Sequence, residues 1–195
     1  KPGSWGFCKI CLHLQKYKMD RYNLGLFVVS AILASCCTAN QASISADIVL
    51  SNVDRTVDIS THLPKINSVV TVENKGKSAV KSFLFAVEPS LSGDLSFIGA
   101  VIKGSEEDTR LNVVETTVSS QKGKIFYRID LASPLEGGKD VKVTVETAYS
   151  HSLVAYPAEI AQSEKQLVKF TFSAYLYSPY KVTKQTSTVK CASSS

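Results

Sequence analysis

From residue 44 onward, apolar side chains recur at every second position. Ile125, Tyr127, Ile129 and Leu131 alternate with Phe126, Arg128 and Asp130, and Val141, Val143 and Val145 alternate with Lys142, Thr144 and Glu146. Successive side chains of a strand point to opposite faces, so runs of this kind bury one face and solvate the other. β-Branched and aromatic residues are plentiful, as strands prefer. The pattern predicts strands near residues 44–50, 55–59, 67–73, 80–87, 95–103, 110–118, 124–131, 141–149, 166–176 and 181–189. Turn signals separate them: Asn74-Lys-Gly76, Glu88-Pro89, Gln121-Lys-Gly123, Ser178-Pro179 and the stretches 104–109 and 134–138. Only 158–165 reads as loosely helical. Ten short strands without alternating helices predict an all-β, antiparallel sandwich-like domain rather than a βαβ fold. No repeat and no linker interrupts it. The runs 80–87 and 95–103 carry bulky residues on both faces, which predicts central strands covered twice or strands facing a neighbouring domain.

The first 39 residues are of another kind. Residues 24–34 form an uncharged apolar run about as long as a signal-peptide core of 7–15 residues, and short of the ~20 residues a membrane-spanning helix needs. Basic residues precede it and small residues follow, with Cys37-Thr38-Ala39 suited to signal peptidase. Met19, the sole methionine, stands where an initiator would stand. The division this implies is upstream or additional leader sequence over 1–18, a helical signal peptide over 19–39 cut after Ala39, and a β-rich domain over 40–195.

Charge and cysteine follow the same boundary. The chain carries a net charge of +5, but five of its 22 Lys and Arg residues and one of its 17 acidic residues precede residue 22. From Asn40 onward 17 basic face 16 acidic residues. A domain this near neutrality has no strong electrostatic attraction to nucleic acid or anionic lipid. Cys8, Cys11, Cys36 and Cys37 precede Asn40 and only Cys191 follows. The domain therefore forms no internal disulfide and must stand on hydrophobic burial.

Motifs that carry chemistry are few. No Gly-rich phosphate loop, H-E-x-x-H or G-x-S-x-G occurs. Cys8, Cys11 and His13 lack the second half-site that a tetrahedral zinc needs, and His62 and His151 have no second ligand at metal spacing. Glu106-Glu107-Asp108 lacks the spaced oxygens and turn glycine of a calcium loop and reads as a solvated hairpin tip. None of Asn40, Asn52, Asn67, Asn74 and Asn112 has Ser or Thr two places on, so the segment has no N-glycan acceptor. No catalytic, metal or cofactor residue is expected. The most distinctive surface candidate is Tyr175-Leu-Tyr177-Ser-Pro-Tyr180. Its tyrosines are candidates to contact a partner, lining a peptide or glycan groove, since aromatic faces stack on sugars and apolar chains. The other reading makes them strand-end aromatics packed over a core edge.

Several ordered landmarks carry a family resemblance. Residues 55–60 (RTVDIS) with His62-Leu63, residues 83–89 (FLFAVEP), and residues 145–149 (VETAY) stand in sequence order. His151, Tyr156-Pro157, residues 162–166 (QSEKQ), residues 175–180 (YLYSPY) and residues 184–186 (KQT) follow. At these separations the chain resembles the N-terminal part of the ribophorin I family over residues 47–192; Cys191 departs from the family pattern. The resemblance implies a type I membrane protein of the rough endoplasmic reticulum, with β-rich lumenal domains ahead of a transmembrane helix that lies beyond this segment. It implies a non-catalytic subunit of the oligosaccharyltransferase complex, which moves a glycan from dolichyl pyrophosphate to Asn of Asn-x-Ser/Thr in nascent chains. The implied partners are the other subunits, the catalytic one among them, nascent polypeptides at the translocon and the membrane. The alternatives are a secreted β-sandwich binding module without enzymatic activity, and a fragment of an enzyme, since the family's sandwich is similar to the non-catalytic N-terminal domain of certain zinc aminopeptidases.

Overall fold

A computed structural model describes residues 42–103 and 107–191. The leader, Cys8, Cys11, His13, the cleavage position Ala39 and Glu106 lie outside the described residues. Those from 42 onward belong to one compact unit. Its described residues hold eleven strands: β1 (Ile48–Ile59), β2 (Lys65–Asn74), β3 (Val80–Ala86), β4 (Leu95–Ile102), β5 (Thr109–Thr116), β6 (Phe126–Leu135), β7 (Asp140–Tyr149), β8 (Leu153–Tyr156), β9 (Leu167–Phe170), β10 (Lys181–Val182) and β11 (Gln185–Cys191). A single 3-10 turn, Ser92–Asp94, is the one helical element among the described residues. The all-β expectation holds. Residues 158–165, read as loosely helical, form turns and bends only; eight residues behind Pro157 without an apolar stripe have nothing to bury along a helix face.

Nine strands make one sheet in the order β10-β1-β2-β7-β4-β5-β6-β3, with β11 also on β1. All pairs are antiparallel except those of β1 with β10 and β11, so the sheet is mixed. The two sequence runs 44–50 and 55–59 are one 12-residue strand, β1, whose register shifts between Leu50 and Asn52. That extra residue is a β-bulge, which bends the strand and strengthens its twist. Two layers arise because the single sheet curls over. Val53, Val57, Val70, Val143 and Val145 from one half, and Phe83, Phe126 and Ile129 from the other, join one buried cluster.

β3 corrects one expectation. Its residues Phe83, Leu84, Phe85 and Ala86 are all buried, as double coverage requires, yet it ends the strand order and pairs only with β6. Coverage comes from the curl and from chain laid against the edge: the Leu84 N–H donates to the Tyr180 hydroxyl at 3.0 Å, and residues 42–45 line a groove with Ser82–Leu84. β4 is central, between β7 and β5, and one of its faces is open: Phe97 is 55% exposed, its ring lying over Gly99 where a Cβ would clash.

Two turns at one end of the curl are joined through a buried asparagine. The Asn74 side-chain amide donates to the Ser78 and Leu135 carbonyls, and its oxygen accepts from Gly76 N–H. Gly137 sits against the Gly76 carbonyl, which leaves no room for a side chain, and Gly138 has φ +73°. A buried amide with every group bonded fixes this corner in a way that apolar packing alone would not.

Candidate functional site

After β7 the chain leaves the sheet. β8 and β9 pair only with each other, Leu153 opposite Phe170 and Tyr156 opposite Leu167. The hairpin exposes Val154, Tyr156, Leu167 and Val168, each by more than half. Two-stranded hairpins gain little stability alone, and this one is rooted by Phe170, which packs against the core and stacks on Phe172 with centroids 5.4 Å apart.

Residues 171–179 then form no strand, and side chains from elsewhere hold their backbone. Ser173 N–H donates to Glu88 Oε2 at 2.8 Å, and the Ser173 carbonyl accepts from Arg55 Nη1 at 2.6 Å. Tyr175 O lies 3.4 Å from the same Nη1. Leu176 N–H donates to Gln185 Oε1, while the Ala174 carbonyl accepts from Gln185 Nε2 and Ser187 Oγ.

These contacts divide the three tyrosines. Tyr175 is 77% exposed, projecting from the segment. Tyr177 is half-buried against the core, with Lys124 Nζ 5.2 Å from its ring centroid. Tyr180 is buried and ties the segment to β3 through its hydroxyl. Burial raises the Tyr180 pKa above its ordinary value, and the Leu84 N–H partly offsets this. The open surface is thus Tyr175 and the outer side of Tyr177, while Tyr180 packs as a strand-end aromatic. Beside them, Tyr175, Leu176, Val182, Thr183, Lys184 and Gln185 border a shallow notch of about 240 Å³.

Arg55 is the residue that sequence reasoning passed over. It lies in phase with Val53 and Val57, so alternation sends it inward, and it is only 6% exposed. A charged residue on the apolar phase of a strand was the available signal. Its Nη1 bonds the Ser173 and Tyr175 carbonyls of residues 171–179, which form a strap across the sheet, its guanidinium is 5.8 Å from the Phe172 ring centroid, and Nε meets no acceptor among the described residues. Burial lowers its pKa from the usual value, while the nearby Tyr149 and Glu88 raise it.

The remaining sequence candidates do not converge. His62 and His151 are exposed, His151 at φ +59° in the turn after β7. Asp108 pairs with Lys103 at 2.7 Å beside the hairpin tip. Among the described residues no three His, Cys, Asp or Glu side chains group to hold a metal ion, and no helix is long and apolar enough to cross a membrane. Cys191 is exposed at the end of β11.

Comparison with known proteins adds what this geometry cannot. "Dolichyl-diphosphooligosaccharide--protein glycosyltransferase subunit 1B" of Arabidopsis thaliana is 31% identical over 175 residues, which are 87% of this chain and 37% of that protein. Subunit 1 of the same name from Caenorhabditis elegans is 31% identical over 140 residues, 72% of this chain and 23% of the relative. The chain thus spans well under half the length of these relatives. An M1 zinc metallopeptidase of Deinococcus radiodurans aligns over 55% of this chain and 21% of its own, with a TM-score of 0.36 and 12% identity, a likeness too slight to carry a conclusion. The profile of the family described as Ribophorin I matches residues 48–195, from the first residue of β1 through the strap to β11, and the chain belongs to the ribophorin I family.

Proposed function

We propose that this chain is the first lumenal part of a non-catalytic subunit of oligosaccharyltransferase, acting in N-glycosylation of nascent proteins in the endoplasmic reticulum. One observation carries the reading: the family match runs unbroken through the β domain, and relatives along it bear the name of subunit 1 of that glycosyltransferase. In the full-length protein the domain is lumenal, reached by cleavage after Ala39 and anchored by a helix C-terminal to this segment. The catalytic site belongs to a different subunit, and this domain contributes contact. Tyr175 and the open side of Tyr177 supply that contact, to a partner subunit or to the nascent chain, because an exposed aromatic side chain with few rotamers offers area at little entropic cost. Tyr180 holds the stretch in place from beneath.

Two assays together test the reading. The full-length protein is expected to co-purify with the catalytic subunit from endoplasmic reticulum membranes, and residues 40–195 alone are expected to transfer no glycan from a dolichol-linked donor to an acceptor peptide. Transfer by the isolated segment would overturn the non-catalytic assignment. Failure to co-purify would favour a secreted binding module.

A further inference from the structure

The curled sheet has two ends, β1 with its partners β10 and β11 on one side and β3 on the other, and among the described residues no strand pairing closes the gap between them. The strap of residues 171–179 spans it. One residue makes the crossing: the Ser173 carbonyl is held by Arg55 of β1, and the Ser173 N–H by Glu88, two residues past β3. Farther along, Gln185 of β11 holds both Ala174 and Leu176, Tyr177 lies under Lys124 of the β5–β6 loop, and Tyr180 reaches the β3 edge at Leu84. We infer that residues 171–179 are a clasp across the seam of the sheet, and that the clasp opens as a unit while the sheet beneath stays folded.

The physical case is that the clasp is held closed by few bonds and at a cost. Among the described residues the backbone bonds of 171–179 run to side chains, and none belongs to a sheet ladder. Opening therefore breaks a few side-chain bonds and no strand pairing, which marks a segment at the low-stability end of a fold. Closure is held by charge-assisted bonds at Ser173 and by the Arg55–Phe172 contact, which are among the stronger polar interactions. Against closure stands the desolvation of Arg55, whose Nε finds no protein acceptor in the closed form. Opening returns that guanidinium to water, so the released state carries no stranded buried charge. What opening uncovers is apolar: the packing sides of Phe172, Leu176 and Tyr177, while Tyr180 stays on the β3 edge at Leu84 as the root of the clasp.

Hydrogen exchange and limited chymotrypsin digestion of the full chain test this in three variants. Arg55→Met and Glu88→Ala each remove one side of the Ser173 crossing, and Gln185→Ala, at a partly exposed site, removes the bonds to Ala174 and Leu176. Each is expected to raise exchange in peptides covering 171–180, and cleavage after Tyr175 and Tyr177, by about tenfold or more, the effect of losing such a bond. Peptides of β2 and β7 are expected to keep wild-type protection. Exchange rising equally in β2 and β7 would overturn the inference, because the strap would then belong to the global cooperative unit. Wild-type exchange in 171–180 would overturn it as well. If Arg55→Met fails to fold, Glu88→Ala and Gln185→Ala decide the matter on the same two readouts.

Discussion

At the scale of single residues, two buried tyrosines make stability depend on alkaline pH. Tyr149 and Tyr180 are both buried, and burial is the first cause raising the pKa of each above the ordinary value of 10.0. For Tyr149 the Thr147 hydrogen bond and Arg55 oppose the shift; for Tyr180 the Leu84 N–H does. The sign follows from proton binding. Between the unfolded and the folded pKa the folded chain holds a phenolic proton that the unfolded chain has lost, so stability is full below about pH 10 and falls as pH rises through the folded value. Tyr180→Phe should show two separable effects. It strands the buried Leu84 N–H, which costs about 1–3 kcal/mol at every pH, and it flattens the loss of stability above pH 10. Urea unfolding at pH 8, 10 and 11 reads both. A variant that loses stability above pH 10 as steeply as wild type would show that Tyr180 does not titrate on unfolding.

At the scale of elements, the alternation made the strands legible, and its limits lie where the sheet bends. Val143 and Val145 of β7 are fully buried as their phase requires. On β6 the phase breaks: Ile129 is fully buried, but Phe126, assigned by alternation to the opposite side, is also buried, while Tyr127 and, just before the strand, Ile125 are only partly so. Where a sheet curls, both faces of a strand meet protein, and a period of two no longer separates core from solvent. The same cause hid the position of β3, whose doubly apolar run is buried at an end of the strand order rather than at its centre. The hairpin of β8 and β9 was hidden differently: residues 166–176 read as one strand, but only 167–170 pair, because the strap residues bond to side chains that sequence spacing does not reveal. These differences separate two substitutions. Val143→Asp buries an uncompensated charge and should cost about 3–5 kcal/mol. Tyr127→Asp, at a partly exposed site, leaves the carboxylate a route to water and should cost clearly less. Equal losses on urea denaturation would mean that Tyr127 shares the β7 core in full.

At the scale of the whole molecule, the pairing of β1 depends on a strand that returns after more than a hundred residues. β1 is interior only because β11 lies parallel along it from Val53–Gln185 to Ile59–Cys191, with β10 extending the pairing at Val49 and Leu50. A parallel return cannot be read from local turn signals, which explains why the sequence pattern implied antiparallel neighbours throughout. The candidate site was legible in part for the same reason. The Tyr175–Tyr180 stretch stands out by composition, but its exposure is decided by Arg55, Glu88 and Gln185, which meet it only once the sheet has curled. A chain ended after Tyr180 tests how far this return governs the fold. It would strip β10 and β11 from β1 and leave a 12-residue strand with one row of backbone groups unpaired. Long exposed edges template pairing between molecules. It would also remove Gln185 and Ser187, the anchors of the strap at Ala174 and Leu176. The shortened chain is expected to keep a β-type circular dichroism spectrum, since β2 to β7 retain their own ladders, yet to form large oligomers by light scattering at concentrations where the longer chain stays dispersed. Restoring residues 181–191 with Lys in place of Thr186 and Thr188, on the outward phase of β11, should return the dispersed state. If the shortened chain instead scatters light like the longer one, the β1 edge is protected by something other than its parallel partner.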